Sequence, residues 1–267
     1  METVTIIGYL SAIIIGISLG LIGGGGSILT VPTLVYLLHV NPVLATAYSL
    51  FVVGATSLAG SFSFMKKGLV NYKTALVFAT PSFIAVYLTR KFLVPAIPET
   101  LFTIGEFTLT KNVGIMVFFA LVMLVASYSM IRNNRKAASE QEDKISFNYP
   151  MIALEGAVVG TLTGIVGAGG GFLIIPALVL FARLPMKMAV GTSLLIIAAK
   201  SLIGFLGDLG NQPIDWGFML LFTAMSLGGI FIGSWLSTKI DGANLEKGFG
   251  WFILLMAIYI LAQELFL

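Results

Sequence analysis

Residues Gly16 to Pro32 read GISLGLIGGGGSILTVP, and residues Gly160 to Pro176 read GTLTGIVGAGGGFLIIP, a second version of the same pattern 144 positions further on. Glycine adds no side chain and adopts left-handed backbone freely, so a run of it between two apolar arms breaks a helix there. In a membrane, such a break is tolerated only where protein covers it or where its backbone lines a site. The two glycine runs therefore decide how the rest of the chain is organised.

Without gaps, sixteen of the forty-five positions from 16 to 60 are identical to those 144 further on. They are Gly16, Gly20, Gly23, Gly25, Gly26, Leu29, Pro32, Leu34, Val35, Ala45, Ser49, Leu50, Ala55, Ser57, Leu58 and Gly60. Shared apolar composition supplies some of these matches but does not account for paired glycines, prolines and serines. Beyond residue 60 the identity fades, while the segment pattern continues.

Apolar segments fall at about 3–22, 28–38, 42–64, 73–93 and 112–131, then at 150–167, 171–182, 186–207, 214–236 and 246–266. Most match the roughly 20 helical residues that cross a hydrocarbon core of about 30 Å. The stretches 28–38 and 171–182 are shorter; at about 1.5 Å per residue they reach about half way. Each reads as the returning arm of a re-entrant hairpin that turns at the glycines, with Pro32 and Pro176 in the first turn of the returning helix and extended backbone before them.

The expected fold is an all-α integral membrane protein of two inverted repeats, each a glycine-broken hairpin followed by three transmembrane helices. Residues 1–131 form the first repeat, 132–149 a cytoplasmic linker and 150–267 the second. The 94–111 stretch reads as a loop along the outer interface.

With 58% hydrophobic and 10% charged residues, the chain is not a water-soluble globule. It has no cysteine and one histidine, His39, which argues against disulfides, thiolate chemistry and a zinc or haem site. GGGGS lacks the GK[ST] of a P-loop, and neither run fits GxGxxG. No enzyme activity, cofactor, metal or nucleic-acid partner is expected. The net charge of +3 goes to orientation. Lys66, Lys67, Lys73, Arg132, Arg135, Lys136, Lys144, Arg183, Lys187, Lys239 and Lys247 flank four connections. Placing these inside leaves Arg90, Lys91 and Lys111 outside, with both termini outside in a plasma or inner membrane.

Helix N-termini carry unpaired N–H groups and about half a positive charge, so two hairpins that meet near the midplane form an anion receptor. The candidate backbone contacts are Gly23, Gly24, Gly25, Gly26 and Ser27 in the first run, and Gly167, Gly169, Gly170 and Gly171 in the second. Gly16, Gly20, Gly156, Gly160 and Gly164 have the small-residue spacing of helix packing. Hydroxyls of Ser49, Thr192 and Ser193, early in the helices after the hairpins, are candidate ligands, and Ser57 and Ser201 continue that track. Lys200 lies inside a helix where the first repeat has Thr56. An intramembrane lysine is costly and a functional candidate; snorkelling outward or pairing with Asp208 would explain it equally well. Carboxylates in the spans are few, which leaves the coupling ion open.

The paired motifs GLIGGGGSILTVPTL with ATAYSL, and GIVGAGGGFLIIPALV with AVGTSLL, resemble the TauE/SafE sulfite exporter family over nearly the whole chain. The resemblance implies a permease for small sulfur-containing anions such as sulfite, thiosulfate or a sulfonate, working as a secondary transporter by alternating access. A passive anion channel and a non-transporting subunit of a larger complex are the alternatives, and a homodimer is left open.

Overall fold

The computed structural model describes residues 2–104, 107–132, 149–167, 170–180, 182, 184–237, 239–240 and 242–266. Helix α1 (Glu2–Ile22) stops at the first glycine run and α2 (Gly25–Pro32) returns from it, continuing as a wider π-helical turn over Thr33–Leu37. Then come α3 (Pro42–Lys66) and α4 (Tyr72–Leu88), the latter extended by a π-helical turn at Thr89–Leu93 and a short α5 (Val94–Ala96). Strands β1 (Thr100–Ile104) and β2 (Phe107–Thr110) precede α6 (Lys111–Arg132). The second half holds α7 (Tyr149–Val166), α8 (Gly171–Leu180), α9 (Met186–Leu206), α10 (Trp216–Ser237) and α11 (Gly242–Phe266).

Local chemistry sets the ends. Asn41 caps α3 by accepting the Val43 N–H at 3.0 Å, with Pro42 in the first helical position. Asn71 caps α4 through the Thr74 N–H. Helix α1 ends at Gly23 with φ 78° and α7 at Gly167 with φ 69°, each N–H reaching back to the residue four before it. This is the left-handed stop that glycine makes without a Cβ penalty.

Two expectations are corrected. The residues between the glycines and the prolines are helical, so Pro32 ends α2 and Pro176 sits inside α8. Proline lacks the N–H that an α-helix needs. After Pro32 the backbone shifts to π-type bonding, with Leu38 N–H on the Thr33 carbonyl at 3.1 Å. The 94–111 stretch is also more than a loop, because it contains an antiparallel pair that sets Thr100 against Thr110 and Ile104 against Phe107.

Among the described residues six helices are long and apolar enough to cross a membrane: Pro42–Lys66, Tyr72–Ala96, Lys111–Tyr128, Met186–Leu206, Trp216–Ser237 and Lys247–Glu264. They are three from each half, and the returning arms α2 and α8 are shorter. Large apolar side chains such as Leu76, Ile84, Val125, Trp235 and Leu255 face outward, whereas Ser49, Thr56, Ser57, Lys200 and Ser201 are buried. This distribution suits a lipid solvent.

The packing pairs counterparts across the halves. Helix α1 lies along α10, and its counterpart α7 lies along α4; α3 packs on α9, and α6 on α11. At the α1–α10 contact Gly16 and Gly20 abut the Ser226 and Ile230 carbonyls, while Gly229 and Gly233 abut those of Ile13 and Ile17, so the helices run parallel. Gly156 and Gly160 meet the Phe78 and Ser82 carbonyls in the same sense. These glycines allow close backbone approach, as their spacing predicts. By contrast α3 and α9 run antiparallel, with Gly54 against Leu202, Gly204 against Leu50 and Gly191 against Phe64.

Candidate functional site

The two hairpin tips touch. A Cβ on Gly171, the first residue of α8, would collide with the Gly24 backbone, and Gly23 borders α9 at Val190 and Ser193, whose Oγ lies 2.8 Å from the place of a Gly23 Cβ. In the second tip Gly167 presses on Thr46 of α3, and Gly170, with φ 72°, presses on Thr163 and on the Lys200 amine. Here α8 begins, since the Gly170 carbonyl accepts the Leu173 and Ile174 N–H groups at 3.0 Å each.

Lys200 is 0% exposed. Its Nζ donates to Thr163 Oγ1 at 2.9 Å, and Thr163 passes a hydrogen bond to the Gly160 carbonyl at 3.2 Å. Asp208 does not pair with it, and complete burial excludes snorkelling. Among the described residues no carboxylate lies within ion-pair distance of Lys200.

Asp208 is claimed by Arg90. The guanidinium is itself 0% exposed, donating from Nε to both carboxylate oxygens at 2.8 and 3.0 Å and from Nη1 to Thr46 Oγ1 at 3.0 Å. Nη1 also reaches the Gly164 carbonyl at 3.3 Å. Nη2 stands 2.7 Å from Oδ2 as an ion pair, without the alignment of a hydrogen bond. Burial raises the Asp208 carboxyl above its ordinary value, opposed by the guanidinium, which lowers it. The pair ties α3, the π-turn after α4, α7 and the end of α9 into one layer over the second tip. Sequence reading set Arg90 aside as an outer flanking charge and missed Thr46 and Thr163, since spacing along the chain does not reveal a partner.

The remaining candidates divide. The Ser27 hydroxyl donates to the Gly24 carbonyl at 2.6 Å, and Ser193 to that of Val190 at 2.8 Å. The Thr192 hydroxyl is occupied by the Asn71 N–H at 2.9 Å, fastening the start of α4 to α9. The hydroxyls of Ser49, Ser57 and Ser201, and that of Thr56, are buried with no hydrogen-bond partner among the described residues. Gly25 and Gly26 lie in the first turn of α2, and a Cβ on Gly26 would meet the Ile15 carbonyl. Gly169 lies outside the described residues.

The profile of the sulfite exporter TauE/SafE family matches residues 9–260. The chain belongs to that family. It is similar to a probable membrane transporter protein of Xylella fastidiosa (strain 9a5c), at 30% identity over 93% of this chain and 91% of the relative. The probable membrane transporter protein YunE of Bacillus subtilis is 29% identical over 85% of this chain and 83% of its own. A probable membrane transporter protein of Haemophilus influenzae is 26% identical over 97% and 98% of the two chains. No solved structure matches. Family and spans together make this an integral membrane protein of a transporter family, not of an enzyme class.

Proposed function

We propose that the protein is a secondary transporter of a small sulfur-containing anion, sulfite, thiosulfate or a sulfonate, held where the two glycine hairpins meet and released by alternating access. The observation that carries this reading is Lys200, a buried ammonium of α9 against the tip of the second hairpin beside Gly170 and the first turn of α8, with one hydroxyl and, among the described residues, no carboxylate as partner. A desolvated cation without a counter-charge is expensive, and an anion at the hairpin tips completes it. Ser49, Thr56, Ser57 and Ser201 contribute buried hydroxyls free to donate, and Gly23, Gly24, Gly25, Gly170 and Gly171 the close-approaching backbone.

Alternating access rests on the two halves being inverted repeats, with 132–149 as a cytoplasmic linker and both termini outside. The antiparallel contact of the counterpart helices α3 and α9 supports this, since a two-fold axis in the membrane plane reverses one copy of a helix relative to the other.

The test is binding of sulfite, thiosulfate, sulfoacetate and sulfate to purified protein, followed by flux in liposomes. Saturable binding of one sulfur anion, weakened more than tenfold in a folded Lys200→Met variant, with counterflow, is the expected result. Unsaturable conductance would replace the transporter by a channel, and inactivity in binding and flux would leave a subunit of a larger complex.

A further inference from the structure

A polar cavity of about 280 Å³ opens at the other side of the Arg90 layer, lined by Asn41, Val43, Leu44, Glu99, Lys111, Asn112, Gln212 and Pro213. It draws on both halves, taking the start of α3, the segment before β1, the start of α6 and the turn between α9 and α10. Water occupies about 30 Å³ per molecule in the liquid, so the space holds an oxyanion together with several waters.

Lys111 gives the cavity its sign. Its side chain is 7% exposed, yet its nearest carboxylate among the described residues is Glu99, 3.8 Å away and itself 86% exposed. That is a long, solvent-screened contact for a cation taken mostly out of water. Amides complete the wall. Asn41 has its side-chain oxygen occupied by the Val43 N–H, which leaves its NH2 group to donate. Helices α3 and α6 both begin at the cavity, adding the positive ends of two dipoles.

The cavity is one layer of side chains from the hairpins. Its wall residue Val43 accepts the Thr46 hydroxyl at 2.7 Å, Thr46 accepts Arg90, and Thr46 touches Gly167. On the opposite wall Gln212 follows Asn211, whose N–H is bound to the Asp208 carbonyl at 3.0 Å.

We propose that this cavity is a second anion site, weaker than the one at the hairpin tips, where a small oxyanion displaces Glu99 as the partner of Lys111 before or after it passes the Arg90–Asp208 pair. The proposal takes the chemistry of its anion from the transport reading, but its binding does not depend on Lys200.

Sulfite is titrated calorimetrically into detergent-purified Lys200→Met protein, and into the same protein carrying Lys111→Gln, Lys111→Arg or Glu99→Gln. Weak saturable binding is expected to survive Lys200→Met, vanish with Lys111→Gln, persist with Lys111→Arg and tighten several-fold with Glu99→Gln. Each variant is first checked for a monodisperse elution profile and an unchanged thermal midpoint. Loss of all binding in Lys200→Met, or residual binding indifferent to Lys111→Gln, overturns the cavity site, as does a wild-type protein that binds no anion. Binding removed by Lys111→Gln and unaffected by Lys200→Met overturns the hairpin reading while the cavity site stands.

Discussion

At the first hairpin Gly23 ends its helix with φ 78° and faces Val190 and Ser193; at the second Gly167 does so with φ 69° and faces Thr46, with Thr163 and Lys200 against Gly170. The backbone stop is shared and the chemistry is not. Counted back by 144, Thr163 corresponds to Leu19, Lys200 to Thr56 and Asp208 to Phe64, while Arg90 corresponds forward to Ser234. Duplication supplied two matching helix breaks and a matching set of packing glycines. Charge was placed at one tip alone. Under the proposed transport reading, this one-sided charge would give the anion one preferred anchor and leave the other hairpin as its wall.

The sharpest way to break the comparison is at the ion pair that only the second tip has. Arg90→Met leaves Asp208 buried without its cation, and removing one partner of a buried pair costs about 3–5 kcal/mol. Thermal unfolding in detergent is expected to show a large drop in midpoint, partly restored by adding Asp208→Asn. A midpoint within experimental scatter of wild type would mean that the layer over the second tip is not held by this pair.

Next is the anchor. Lys200→Met is expected to weaken sulfur-anion affinity by about 1.5–3 kcal/mol, the usual range for a charge-assisted hydrogen bond, which is more than tenfold. Thr56→Ala at the equivalent place, which removes a hydroxyl and no charge, is expected to weaken it far less. Equal losses in the two variants would make the tips chemically equivalent and end the one-anchor account.

The glycines test the shared part. Left-handed backbone costs an L-residue about 1–2 kcal/mol, so Gly23→Ala and Gly167→Ala are both expected to destabilise. Gly167→Ala is expected to do so more, because a Cβ there meets the Thr46 side chain and backbone, whereas at Gly23 the nearest atom is the rotatable Ser193 Oγ. Equilibrium unfolding of the pair would reverse the order only if the second tip relaxes more easily than its packing implies.

The smallest effect is expected among the serines. Ser49 has a buried hydroxyl with no partner, while its counterpart Ser193 spends its own on Val190. Ser49→Ala is expected to leave stability unchanged within about 0.5 kcal/mol and to lower anion affinity modestly. Ser193→Ala is expected to affect affinity less. The opposite order, measured by the same titration, would move the hydroxyl contact to the first tip's wall.

Some features were legible along the chain because they depend on local chemistry. The helix breaks at Gly23 and Gly167 follow from glycine's freedom, and the six spans from apolar length. Close packing at Gly16, Gly160 and Gly164 follows from their spacing. The strand pair left a signal that was overlooked, since Phe107–Thr110 alternates apolar residues with threonine and Thr100–Ile104 is rich in Thr, Phe and Ile. Pro32 and Pro176 misled because a proline was read as a start, whereas the glycine ahead of it already opens the helix.

The sequence by itself determined a membrane protein built as two copies of one glycine-broken pattern, since composition, length and local backbone preference settle those matters without long-range contacts. Only the tertiary structure decided that Arg90 takes Asp208 and leaves Lys200 with Thr163, because ion pairing depends on which side chains meet across helices 118 or 37 residues apart in the chain. In a low-dielectric interior that choice of partner decides which cation has a counter-charge and which, among the described residues, has only a hydroxyl.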